Sequence, residues 1–111
     1  MAYDEKLAAR IRELIGDEPS LKEQKMFGGL GFLIGGNMAV AASGQGGLLV
    51  HVDAEKGDEL VATTGAQPME MRGRTMAGWL RVGTDEVATP GALATWVERG
   101  TAYARSLPPK R

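Results

Sequence analysis

Between Lys22 and Val52 the apolar residues follow a period of two, and glycine or asparagine interrupts the pattern every few residues. Such alternation is typical of β-strands whose two faces meet different surroundings. The interruptions are short, whereas a crossover between parallel strands needs about a dozen residues or more. The segment therefore predicts a run of antiparallel hairpins, with strands over residues 23–28, 31–35, 37–43 and 47–52.

Three other segments have the spacing of amphipathic helices. The first covers residues 4–15, and Asp53 is the predicted N-cap of a second helix over residues 54–63. Thr89 and Pro90 are typical of the N-cap and first residue of a third. The apolar positions assigned to the buried sides are Leu7, Ile11, Leu14 and Ile15 in the first helix and Leu93, Trp96, Val97, Ala104 and Leu107 in the third.

Two further short strands are predicted over residues 69–72 and 78–83, joined by a loop at 73–76. The order of elements is then α-β-β-β-β-α-β-β-α. Short hairpins followed by helices predict a two-layer α+β domain, in which helices cover one face of a largely antiparallel sheet. A length of 111 residues predicts a single domain, 1–111, with residues 107–111 as a loose tail.

Composition excludes several classes of function. The chain has no cysteine, which removes disulfides, thiolate catalysis and cysteine-ligated metals. Lys and Arg number 13 against 14 Asp and Glu, so no overall field attracts nucleic acid or an anionic membrane. No apolar run approaches the roughly 20 residues that span a bilayer, and the acidic start is unlike a signal peptide. We therefore expect a cytoplasmic protein without membrane contact or direct nucleic-acid binding.

The stretch KMFGGLGFLIGG, residues 25–36, contains five glycines and raises the question of a phosphate-binding loop. It lacks the Gly-Lys-Ser/Thr ending of a Walker loop, and Gly35 follows Gly31 one residue too late for a dinucleotide fingerprint. Both motifs also need a helix to begin at the loop, whereas Phe32 continues a strand pattern. The glycines are therefore interpreted as turn and bulge residues of a hairpin.

His51 is the only histidine, which rules out a metal site built on two histidines. As a strand residue it is either a single base or, more simply, a surface or interface residue. The acidic pairs, such as Asp85 and Glu86, lie at predicted element ends and give no sign of two carboxylates across a cleft. We therefore assign no catalytic, cofactor-binding or metal-ligating residue and expect no cofactor.

The segment RGRTMAGWLR, residues 72–81, is the one concentrated basic stretch. On a strand, Trp79 and Arg81 share a face, so an indole beside a guanidinium can meet a partner's carboxylates or stack on a base. The alternative is that the indole and the aliphatic stems cover the sheet while the charges stay hydrated. The candidate interaction surface consists of Lys25, Phe27, His51, Arg72, Arg74, Trp79 and Arg81.

Three stretches carry a family resemblance: KMFGGLGFLIGGNMAVAAS (25–43), PMEMRGRTMAGWLRV (68–82) and LATWVERGTAYARSLPPK (93–110). In this order they resemble the N-terminal domain of the TfoX/Sxy family, which is linked to the regulation of natural competence. The resemblance implies a two-layer α+β fold similar to that of secretion chaperones, often dimeric, and a role in transcription through other regulators rather than catalysis. Full-length members carry a second, helical C-terminal domain, for which the 111 residues leave no room.

Two functions of different classes therefore stay open. The first is a non-enzymatic regulatory or protein-interaction module that acts in transcription through a protein partner. A homodimer is also expected, because apolar residues on the sheet face of Leu49 and His51 invite a second subunit. The second function is a small-molecule-binding domain or weak enzyme, whose pocket lies between sheet and helices and uses His51 or an arginine to hold an anion.

Overall fold

The computed structural model describes residues 3–26, 28–44, 46–71 and 73–109. Within these ranges it contains helices and a six-stranded antiparallel sheet in the predicted order, which confirms the α+β fold class. A short 3-10 helix, Thr84–Val87, was not predicted. The other elements are α1 (Glu5–Ile15), β1 (Leu21–Met26), β2 (Gly29–Ile34), β3 (Asn37–Ala42), β4 (Leu48–His51), α2 (Ala54–Thr63), β5 (Gln67–Met71), β6 (Arg74–Val82) and α3 (Pro90–Ser106).

The strands lie side by side in the order β1-β2-β3-β4-β6-β5. Gly35 and Gly36 join β2 to β3 with φ angles of 60° and 83°, a left-handed conformation that glycine adopts without a side-chain clash. From the turn that contains Gly28 the chain continues directly into β2. The interpretation of Gly28, Gly35 and Gly36 as turn residues of hairpins is therefore confirmed.

The two faces of the sheet have different surroundings. Leu48, Val50 and Val52 point to the helices and belong to the main core, whereas Leu49 belongs to a separate cluster on the opposite face, as the alternation predicts. We call the side that carries the helices the covered face. The opposite side, which carries Leu49, is called the open face.

The longest helix, α3, lies very close to the middle of the sheet. A β-carbon at Gly100 would lie 2.4 Å from the carbonyl oxygen of Ala39 and 2.9 Å from a methyl group of Val40. Both residues belong to β3, whose pairing with β2 shifts by one residue between Phe32 and Leu33. Glycine at position 100 therefore sets how closely α3 packs on β3.

Thr89 caps α3 by accepting a hydrogen bond from the amide of Ala92, and Asp53 caps α2 by accepting one from the amide of Glu55. Both caps and the predicted bounds of α2 are confirmed. The capping side chains therefore fix the residue at which each of these helices begins.

The predicted loop at 73–76 is wrong. Arg74, Thr75 and Met76 belong to β6, which is longer than the predicted strand over residues 78–83. Of the four residues predicted as a loop, Gly73 is the one outside β6, and its φ is 78°. Gly78 does not begin the strand but lies in a β-bulge. Leu80 of β6 is opposite Pro68, whereas the next residue of β5, Met69, is opposite Met76.

Two apolar helix positions differ from the prediction. Leu107 follows α3 as its C-cap residue and is half-buried. Leu14 is 45% exposed, although its spacing from Ile11 placed it on the buried side of α1. Ala8 is buried instead, so the buried stripe is centred between Ile11 and Ile15, and Leu14 lies at its margin.

The chain beyond α3 returns to the sheet. Asn37 is buried, and its Nδ2 donates a hydrogen bond to the carbonyl oxygen of Pro108 over 3.0 Å. A β-carbon built at Gly35 would lie 3.5 Å from Pro109. This part of the predicted tail therefore lies along the β2–β3 turn, while residues 110 and 111 lie outside the described ranges. Within those ranges, no helix combines the length and apolar character that crossing a bilayer requires.

Candidate functional site

His51 and Trp79 lie opposite each other on the neighbouring strands β4 and β6. Their rings are stacked, with centroids 4.1 Å apart and planes 11° from parallel. The pair follows from the register, since side chains opposite each other on antiparallel strands lie on one face. It joins the only histidine to an aromatic residue of the basic segment.

The imidazole of His51 also contacts Met38 on β3 and Tyr103 on α3. Its Nδ1 lies 3.2 Å from the carbonyl oxygen of Met38, which accepts the Nδ1 proton. The β3–β4 ladder begins only at Val40, so it does not use that carbonyl. From the covered side, the ring of Tyr103 on α3 meets the imidazole edge-on at 5.0 Å. His51 therefore connects the end of the sheet to α3 and is half-buried rather than free at the surface.

The open face has an apolar centre. Ala41, Leu49 and Met69 form a buried cluster, against which the half-buried side chains of Met38 and Trp79 pack. Met76 lies opposite Met69 and is 37% exposed. Among the described residues, Met76 and Leu14 are the exposed large hydrophobic side chains. The open face therefore presents apolar surface where no described helix covers it.

Arg81 lies beside this apolar centre. It is opposite Leu49 on β4 and Gln67 on β5, and its Nη1 donates to Ser43 Oγ over 3.4 Å. Its side chain is half-buried and lines a shallow groove of about 530 Å³, together with Asp85 and Glu86. Arg81 therefore brings a positive charge to the edge of the open face.

The remaining candidates are distributed differently. Arg74 is exposed at the far end of β6 and shares the face of Met76 by alternation. Lys25 lies opposite Leu30, a residue of the covered core, so it lies at the outer edge of the covered face and does not join the others. Phe27 and Arg72 lie outside the described residues. The structure thus brings together His51, Trp79 and Arg81.

A comparison with protein families matches residues 13–104 to the TfoX N-terminal domain. The chain belongs to this family. The matched region contains all six strands, α2, nearly all of α3 and the whole of the described open face. No curated protein matches the chain significantly.

Two features of this TfoX N-terminal domain were missed from the sequence. The first is Met76: the sequence predicts it in a loop, and its position opposite Met69 depends on the bulge at Gly78, which alternation alone does not reveal. The second is Arg99, whose guanidinium carbon lies 4.5 Å from the ring centroid of Trp96. The i, i+3 spacing on α3 is the signal that would have indicated this contact.

A bidentate ion pair lies away from the open face. Arg12 on α1 donates from Nε and Nη2 to the carboxylate of Glu23 on β1, over 2.6 and 2.8 Å. The hydrogen bonds from Arg12 hold the pKa of Glu23 below its usual range. The pair fastens α1 to the first strand of the domain on its covered side.

Proposed function

We propose that this TfoX N-terminal domain is a non-enzymatic regulatory module that acts in transcription through a protein partner. The observation that supports the proposal most strongly is the open face, where Met38, Trp79 and Met76 expose apolar surface around a buried cluster. Exposed apolar surface of this kind is typical of protein interaction sites. By family resemblance, the regulated process is natural competence, and the module works in the cytoplasm.

The charges beside the apolar patch define the partner further. Arg74 is exposed on the open face, and Arg81 is half-buried at its edge. A guanidinium beside an indole and methionines suits a partner that offers an apolar anchor flanked by carboxylates. The partner is therefore a protein, and we expect it to be a transcription regulator with an acidic contact surface.

Site-specific photo-crosslinking in the native host tests the proposal. A photoreactive phenylalanine analogue replaces Met76 in one variant and Leu14 in a matched control. Both side chains are exposed, but Leu14 lies on α1, away from the open face. We expect position 76 to capture a transcription regulator, identified by mass spectrometry, and position 14 to capture none. Identical products from both positions would contradict the assignment of the interface.

We also propose that the domain forms a homodimer when the partner is absent, with a second copy on the same apolar patch. Sedimentation of the purified domain tests this separately. The wild type should show concentration-dependent dimerisation, and Met76→Glu should remain monomeric because it places a charge in the contact. A wild type that stays monomeric at high concentration contradicts the homodimer. The proposal of a protein partner is tested independently by the crosslinking experiment.

A further inference from the structure

A groove on the covered face separates α2 from α3. α2 packs over β6, whereas α3 packs over β3 and β4. The space between the two helices measures about 560 Å³, within the range of small-molecule sites. Its apolar lining includes Val52, Leu60 and Ala102. The groove therefore has the size and the apolar surface to accept a small ligand.

One wall of the groove carries a positioned cation. Arg99 is half-buried, and its guanidinium lies 4.5 Å from the ring centroid of Trp96, which restricts its side chain. Among the described residues, Arg99 forms no ion pair, whereas Arg105 pairs with both Glu18 and Glu98. A held guanidinium without a described carboxylate partner favours an anionic ligand group.

The other charged residues of the groove are already engaged. Lys56 lies 4.0 Å from Glu59, and the carboxylate of Asp53 accepts from the amide of Glu55. The carboxylates of Asp53 and Glu59 line the same groove and repel a multiply charged anion more strongly than a monoanion. The electrostatics therefore favour a monoanion such as a carboxylate over a phosphate group.

Tyr103 provides a fixed aromatic wall. It lines the groove, and its ring contacts His51 edge-on, so the side chain is held from the sheet side. Val52 lies immediately after His51 and contributes to the same surface. An apolar chain or ring can therefore contact Val52, Leu60 and Tyr103 while its charged end reaches Arg99.

We propose that the α2–α3 groove binds a small amphipathic carboxylate. The ligand's carboxylate accepts hydrogen bonds from the Arg99 guanidinium, and its apolar body lies over Val52, Leu60 and Tyr103. This site lies on the covered face, so it is distinct from the surface proposed for the protein partner. It uses an arginine of α3 and not His51, which is absent from the groove lining.

Octanoate is the probe for this proposal, titrated into the isotope-labelled domain and followed by amide chemical shifts. We expect shifts concentrated in residues 52–63 and 96–103. Octanamide, the neutral analogue, and inorganic phosphate should give much weaker or no shifts there. Octanamide binding as tightly as octanoate would overturn the role of the guanidinium, and shifts confined to other regions would overturn the site.

Two variants locate the ligand in the groove. Arg99→Gln keeps a hydrogen-bonding side chain but removes the charge, and should weaken octanoate binding by about tenfold or more. Ala102→Phe fills the groove from an exposed position, and should abolish binding without touching the core. Thr95→Phe adds the same ring to an exposed position of α3 outside the groove and should bind normally. Unchanged binding in Ala102→Phe would overturn the proposal even if Arg99→Gln fails to fold.

Discussion

The imidazole of His51 lies flat against the indole of Trp79, with ring centroids 4.1 Å apart, while the ring of Tyr103 on α3 is nearly perpendicular to it at a centroid distance of 5.0 Å. Three rings from two strands and one helix thus meet at the end of β4. This cluster links the open face to the helix layer, because His51 contacts both Trp79 on the sheet and Tyr103 on α3.

His51→Ala should destabilise the domain by about 1 to 3 kcal/mol, since it removes a stacked pair and a hydrogen bond to Met38. A double-mutant cycle with Trp79→Ala, measured by urea unfolding, should give a coupling free energy of about 0.5 to 1.5 kcal/mol. Additive effects would show that the stacking contributes nothing to stability.

Gly100→Ala should destabilise the domain by about 1 to 3 kcal/mol, because the added β-carbon meets the carbonyl oxygen of Ala39 at 2.4 Å. Gly91→Ala is the matched control on the same helix, where a β-carbon meets nothing within 4 Å. It should be neutral or stabilise the domain by up to about 1 kcal/mol. Thermal unfolding distinguishes the two, and equal effects would contradict the close packing of α3 on β3.

Acid should weaken the Arg12–Glu23 contact. The folded-state pKa of Glu23 is lowered from 4.5, so its stabilising contribution is present above that unfolded-state value and is lost as the pH falls through the folded-state pKa. Glu23→Gln should therefore unfold more readily than the wild type at neutral pH and approach it in strong acid. Glu13→Gln, at an exposed position of α1, is the matched control and should match the wild-type stability at neutral pH. A Glu23→Gln profile parallel to the wild type at every pH would exclude this contribution.

Local signals predicted the fold well. The N-caps Asp53 and Thr89 and the hairpin at Gly35 depend on side chains and backbone angles within a few residues, so the sequence reveals them. The error at residues 73–76 arose because Gly78 was interpreted as the start of a strand, whereas the strand passes through it as a bulge. A glycine near a strand is compatible with a strand end or with a bulge, and only the pairing with the neighbouring strand distinguishes the two.

The sequence predicts only part of how the candidate residues are grouped in space. Trp79 and Arg81 share a face by alternation, but their position beside His51 depends on β4 and β6 being neighbours, which chain order does not reveal. Lys25 was grouped with them, yet its register opposite Leu30 places it on the covered face. The groove at Arg99 depends on how α2 and α3 are spaced over the sheet. That spacing is a tertiary property that helical periodicity does not contain.

Binding of the crosslinked partner to the purified domain tests the central claim most directly. The dissociation constant is measured for the wild type, Met76→Glu and the matched control Leu14→Glu, after circular dichroism confirms that all three fold. The open-face account predicts at least about tenfold weaker binding for Met76→Glu, because a carboxylate is desolvated in an apolar contact, and wild-type affinity for Leu14→Glu. Wild-type affinity in Met76→Glu, or an equal loss in Leu14→Glu, would contradict the account.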